Sequence, residues 1–131
     1  MLWLAVGILG LSASGALSAP KDVYGKCVER TSTNIEWAEC GRQEISRQES
    51  RLNAAWKKIQ SCFDIKEEAE KNAKEALLSE QRLWVKWKDS ACTLFDYAGR
   101  EGQVLSYPMC KITVIKDRAD WLTDFTNNCH R

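Results

Sequence analysis

Six cysteines, one histidine and a run of carboxylates are the residues of this sequence that could do chemistry. Cys27, Cys40, Cys62, Cys92, Cys110 and Cys129 could hold zinc or pair as disulfides. Zinc sites built on cysteine bring C-x-x-C pairs or several histidines. This chain has no C-x-x-C, and its one histidine, His130, stands second from the end. Disulfides are therefore the expected use of all six. A serine or cysteine hydrolase needs a general base held by a third group, and His130 beside the terminus is poorly placed for that. No G-x-S-x-G, Walker-type or G-x-G-x-x-G loop occurs. Glu67, Glu68, Glu70, Glu75, Glu80 and Asp89 could in principle supply the two facing acids of a glycosidase. On a helix they read instead as a solvated face. The sequence asks for no catalytic residue, no metal and no cofactor.

The bulk composition narrows the partners. Nineteen basic and eighteen acidic side chains leave a formal charge of +1 over 131 residues. A nucleic-acid binder carries a basic excess on one face to neutralise phosphates, and here bases alternate with acids. With 44% hydrophobic and 28% charged residues, the chain reads as one folded domain.

Residues 1 to 20 carry no charge, and Leu2 to Leu11 is almost wholly apolar before a run of small residues from Ser12 to Ala19. An apolar stretch of about ten residues with a small-residue exit is a secretory signal, too short to span a ~30 Å hydrocarbon core. Cleavage is expected after Ser18, with Ala16 and Ala19 as other cut points. That makes 1–18 a cleaved signal peptide and 19–131 the mature domain, with no membrane insertion after cleavage. Periplasmic or secreted residence follows, and with it the oxidising setting that pairs cysteines.

Three helices must then position these residues. Thr33-Asn34-Ile35-Glu36 has the hydroxyl and carboxylate of a capping box. Behind it, Ala38, Gly41, Ile45, Gln48, Leu52, Ala55, Ile59 and Cys62 recur at helical spacing, predicting a helix over about 34–62. Asp64 to Glu67 is a second box-like start. From there Ala73, Leu77, Trp84, Trp87, Ala91, Phe95 and Ala98 predict a helix over about 65–98, stopped by Gly99 and Gly102. Tyr107-Pro108 opens a third, since proline fits a first turn; Ile112, Ile115, Ala119, Leu122 and Phe125 are its apolar side. No stretch alternates with a two-residue period, so no sheet is expected. The fold class is all-α: an antiparallel up-down-up three-helix bundle with disulfides and a short N-terminal arm. Trp37, Trp56, Trp84, Trp87 and Trp121 read as core or core edge.

In such a bundle the first helix ends, the second begins and the third ends at one pole, which brings Cys62 near Cys129. The other four cysteines belong towards the opposite pole. Cys27–Cys40 and Cys92–Cys110 are favoured there, with Cys27–Cys92 and Cys40–Cys110 as the rival pairing.

The segment Gln81-Arg82-Leu83-Trp84-Val85-Lys86-Trp87-Lys88-Asp89-Ser90-Ala91-Cys92 resembles the most recognisable stretch of the LprI-type lysozyme-inhibitor N-terminal domain family. That family writes it as Q-R-x-W, two residues, aromatic, basic, Asp, two residues, Cys. Cys27, Thr33, Glu36 and Cys40 match its first cysteine, T-x-x-E start and second cysteine. Leu52-Asn53-Ala54-Ala55-Trp56 is similar to its L-N-x-x-Y, with tryptophan for tyrosine. Cys110, Arg118 and Leu122 match its closing cysteine and R-x-x-x-L, so the resemblance covers about 27–122. Lys88 stands where arginine is usual, Ile115 where threonine is usual, and Cys62 and Cys129 are additional to the four-cysteine set.

The resemblance implies an exported helical protein that in some members inhibits lysozyme. It also implies that Asn53, Gln81, Arg82, Asp89 and Arg118 form a polar network clipping the three helices together. The expected partner is a protein, a lysozyme or another cell-wall hydrolase. A lysozyme cleft is acidic, so a basic or hydroxyl side chain on a braced loop suits it. Arg100, Ser106 and Tyr107, in the stretch from Gly99 to Tyr107, are the expected contacts. The alternative is a cell-envelope structural or interaction protein without lysozyme activity, using an exposed tryptophan.

Overall fold

A computed structural model describes residues 22–129. The expected signal segment 1–18, residues 19–21 and His130 lie outside the described residues. The rest is α1 (Val23–Glu29), α2 (Asn34–Ile59), α3 (Glu68–Ser90), the single turn α4 (Gly99–Glu101) and α5 (Tyr107–Asn128). Short 3-10 turns follow α2 (Gln60–Cys62) and α3 (Thr93–Tyr97), and a π-helical turn (Gly102–Ser106) joins α4 to α5. No strand occurs among the described residues.

The cap at Thr33 forms as its sequence demands. The Thr33 hydroxyl accepts from the Glu36 amide at 3.3 Å, and the Glu36 carboxylate accepts from the Thr33 amide at 3.0 Å. The Thr33 hydroxyl, the Ser32 amide and the Thr33 amide together hold the Glu36 carboxyl below its ordinary pKa. From that start α2 buries Cys40, Gly41, Glu44, Gln48, Leu52, Ala55 and Ile59, one face at three- and four-residue spacing.

α2 lies against α5 along its length, and the two run in the same direction. At one end Gly41 meets Pro108; at the other Cys62 is bonded to Cys129. Small residues permit this close approach. A Cβ at position 41 would stand 2.6 Å from the Pro108 side chain, and Ala55 and Ala119 sit further along the seam. α3 runs antiparallel to both and stands further off, because Leu77 and Trp84 fill the space between. The core is Leu52, Ala55, Ile59, Leu77, Ile115, Ala119 and Leu122. Burying each of the large ones contributes roughly 1.5–3 kcal/mol before entropy is counted.

The expected three-helix bundle is corrected to four helices among the described residues, α1, α2, α3 and α5, with α4 a single turn. The N-terminal arm is itself helical, capped by Asp22, whose carboxylate accepts from the Tyr24 amide. α1 covers the side of α2 that carries Cys40 and Glu44, which explains why these two are buried although they flank the apolar stripe. Tyr24, 4% exposed, anchors α1 and donates its hydroxyl to the Leu105 carbonyl at 3.3 Å. Burial, and then the charge of Asp22, push the Tyr24 phenol above its ordinary pKa.

The second helix also differs from expectation. It ends at Ser90, not near Ala98, because Ala91 leaves the helix and Cys92 takes φ 75°. Beyond it the stretch 99–106, expected as a loop, is helical. Trp87, read as part of the apolar stripe, is 54% exposed, and Trp121 is 43% exposed. With α3 standing off, its flanks are left in solvent.

Outer ion pairs fasten α2 to α5. Asp120 accepts from Lys116 at 2.7 Å and from Arg51 of α2. Burial would raise the Asp120 carboxyl, but these two cations outweigh it and hold the pKa below the usual value. A depressed carboxyl stabilises the fold above its unfolded pKa of about 3.9, and that contribution is lost as pH falls through the folded value. Urea titrations from pH 6 to pH 2 should therefore show a shallower acid decline for Asp120→Asn than for the parent, with the difference confined to below about pH 4.

Candidate partner-binding surface

All six cysteines are bonded: Cys27–Cys40, Cys62–Cys129 and Cys92–Cys110. These are the pairs favoured by sorting the cysteines between the two poles. The first pins α1 to α2, the second closes the far end of α2 on α5, and the third ties the end of α3 to the first turns of α5.

Of the residues expected to form one polar network, the structure joins only Gln81 and Arg118. The Arg118 guanidinium donates from Nε to Gln81 at 2.9 Å and from Nη1 to Glu80 at 2.6 Å. It lies 4.7 Å from the Trp121 ring centre and 5.7 Å from that of Trp84, a cation held between two indoles. Its Nη2 is buried without a hydrogen-bond partner, so the aromatic faces supply its remaining stabilisation. Asn53, Arg82 and Asp89 are exposed and lie outside this cluster. Arg82 and Asp89 point away because α3 presents Leu77, Gln81, Trp84 and Lys88 inward, one helical stripe, and Asn53 because α2 turns Leu52, Ala55 and Ile59 to the core.

A second clip was not legible in the sequence. Lys88 of α3 donates to Glu49 of α2 at 2.6 Å, and Lys111 of α5 donates to the Lys88 carbonyl. Lys111 is 8% exposed; burial first, and then the neighbouring Lys88 charge, lower its pKa. A lysine and a glutamate read as solvent-facing residues until their partners are known.

The segment between Cys92 and α5 is the most unusual surface. Cys92–Cys110 fixes its start. Thr93 donates its hydroxyl to the Ser90 carbonyl at 3.0 Å, and Gln103 donates to the Asp96 carbonyl at 2.9 Å. Gly99 turns the chain with φ 76°. Gly102 packs so closely that a Cβ there would lie 2.5 Å from Ala98 and 2.9 Å from the Phe95 carbonyl. Yet this anchored segment holds Leu94 at 67% and Tyr97 at 91% exposure, and Arg100 is exposed beside them in sequence. Ser106 and Tyr107 are half-buried, held in by the turn into α5. The structure thus keeps Arg100 on the candidate surface, withdraws Ser106 and Tyr107, and adds Leu94 and Tyr97. The missed pair had no sequence signal, since an unbroken helix to Ala98 would have placed them differently.

The groove of about 410 Å³ between α1, α2 and α5 offers no comparable chemistry. Its buried Glu44 is already bonded by Arg47 at 2.6 and 2.8 Å and by Gln48 at 2.7 Å. Among the described residues no three His, Cys, Asp or Glu side chains could hold a metal ion. No helix among them is long and apolar enough to cross a membrane.

Comparison with curated proteins and with solved structures finds no match. The family described as Lysozyme inhibitor LprI matches residues 27–122, from the first disulfide cysteine through Arg118 to Leu122. That span includes α2, α3, the Cys92–Cys110 bond and the core of α5, and on it this chain belongs to the LprI lysozyme inhibitor family.

Proposed function

We propose that this chain is an exported binding protein that inhibits a lysozyme or another cell-wall hydrolase, docking through Leu94, Tyr97 and Arg100. One observation carries the contact: Tyr97, at 91% exposure, projects from a segment anchored by a disulfide and by the close packing of Gly102 on Phe95 and Ala98. A tyrosine has few rotamers to lose, and an anchored backbone gives up little further entropy on binding; tyrosine and arginine dominate interface hot spots. Arg100 supplies a cation for a cleft that carries two carboxylates. A net charge of +1 gives little long-range attraction, so short-range contacts at this segment must provide the affinity. Family membership supports the reading, because the family is described as lysozyme inhibitors. Under this reading residues 1–18 are removed on export, the protein acts in the periplasm or outside the cell, and it performs no chemistry itself.

Turnover of peptidoglycan by lysozymes of the different structural classes, with the oxidised mature chain added, tests it. Inhibition of at least one class at micromolar protein is expected. Tyr97→Ala and Arg100→Ala should each weaken it at least about tenfold, the effect of a hot-spot residue, with unchanged unfolding midpoints. No inhibition of any class would overturn the function. Inhibition indifferent to both substitutions would overturn the contact. The alternative, an envelope interaction protein, keeps one observation of its own: Trp87 is 54% exposed on the flank of α3.

A further inference from the structure

Cys92 is the one non-glycine residue with positive φ among the described residues. An L side chain in that region crowds its own backbone, and the position is ordinarily left to glycine or asparagine. Nothing local asks for it. Residues 93–98 contain neither proline nor glycine, and Trp84, Trp87, Ala91, Phe95 and Ala98 keep the spacing that would carry α3 onward. The helix breaks where Cys92 turns to reach Cys110, Cα to Cα 5.8 Å. No cysteine of the other two bonds has a positive φ.

The same bond can be reached from outside. Cys110 lines an open, mainly apolar groove of about 410 Å³ with Phe95, Ser106, Met109, Thr113 and Val114. Cys92 is 8% exposed, whereas Cys110 is half-buried and lines the groove, which makes Cys110 the side from which the bond is approached.

We propose that Cys92–Cys110 is a site of thiol–disulfide exchange, opened by a dithiol entering this groove, and that opening lets α3 extend through Tyr97. One thiolate of the dithiol forms a bond to Cys110 Sγ as the Cys92–Cys110 bond breaks. The electron pair leaves on Cys92 Sγ, which takes up a proton. The second thiol of the dithiol then displaces Cys110, which is protonated in turn. The dithiol ends as a disulfide, and the protein gains two thiols for the two electrons and two protons received. Freed of its partner, Cys92 returns to helical φ, and Leu94 and Tyr97 move onto a lengthened α3. On the reading of Leu94–Arg100 as the contact segment, the inhibitor is active when oxidised and loses its contact when this one bond opens.

The test is a titration of the oxidised chain with dithiothreitol, trapped by alkylation and mapped by mass, with amide exchange measured on the trapped species. Cys92 and Cys110 should be alkylated first, at least tenfold ahead of the other four cysteines. Amides of residues 92–98 should then gain at least tenfold protection. The Cys92→Ala, Cys110→Ala double variant should show the same gain with the other two bonds intact. Opening of either other bond first, or unchanged or reduced protection over 92–98, overturns the proposal. A tenfold loss of hydrolase inhibition on opening this bond is the functional readout. Should the oxidised chain inhibit no hydrolase, the proposed function fails, while bond order and exchange still decide this inference.

Discussion

Removing the Cys62–Cys129 bond, with both cysteines changed to serine, should lower unfolding stability by about 4 kcal/mol. The bond closes a loop of 67 residues, against 13 for Cys27–Cys40 and 18 for Cys92–Cys110. In the loop-entropy account the stabilisation grows with the logarithm of that length, so the two shorter bonds contribute about 3 kcal/mol each. Position adds to length. Cys62 follows α2 and Cys129 follows α5, so the bond holds together the open ends of two parallel helices. Phe63 and Phe125 stack beside it with ring centres 6.3 Å apart, and that contact loosens when the ends can part. For a domain of ordinary stability, about 5–15 kcal/mol, the loss decides whether the fold survives at 37 °C. Urea unfolding of the double variant, with the other two bonds kept oxidised, measures it. A loss under about 1 kcal/mol would show that the helices are held at this end by packing alone.

Arg118→Ala should cost about 3 kcal/mol, within the range for emptying a large buried site. The guanidinium fills the space between Trp84 and Trp121, and alanine leaves that space vacant while α3 loses its hydrogen bonds through Gln81 and Glu80. The loss of charge is the smaller part. Glu80 is 56% exposed, so it returns to water at little cost once its partner is gone. Arg118→Met, which keeps volume and removes the cation, should therefore cost about 1 kcal/mol or less. Thermal or urea unfolding of the two variants separates packing from charge. Equal losses for methionine and alanine would mean that the cation, not its bulk, holds α3 in place.

What could be read in the residues followed how local the cause was. The capping box at Thr33 and Glu36 is a four-residue contact, and α2 begins where it says. Helix ends place cysteines at poles, so the pairing of Cys62 with Cys129 was within reach of periodicity alone. The end of α3 was not. Its apolar spacing continues to Ala98, and the break at Cys92 depends on Cys110, which lies eighteen residues further on. The candidate surface moved for the same reason: breaking the helix early turns Leu94 and Tyr97 outward and winds Ser106 and Tyr107 into a helical turn. Polar and charged residues misled in both directions. Asn53, Arg82 and Asp89, drawn from the family's string, face solvent, whereas Glu44 and Lys111 are buried. Neither burial follows from spacing: Glu44 is covered by α1 and bonded by Arg47 and Gln48 of its own helix, and Lys111 finds its acceptor, the Lys88 carbonyl, on α3.

Amide hydrogen exchange on the complex between the oxidised chain and an inhibited lysozyme tests the central claim most directly. Protection on binding should be concentrated over residues 93–101, with α1 and the exposed face of α2 unchanged. A complex that protects α1, α2 or the Trp121–Phe125 end of α5 while leaving 93–101 exchanging as in the free chain would contradict it.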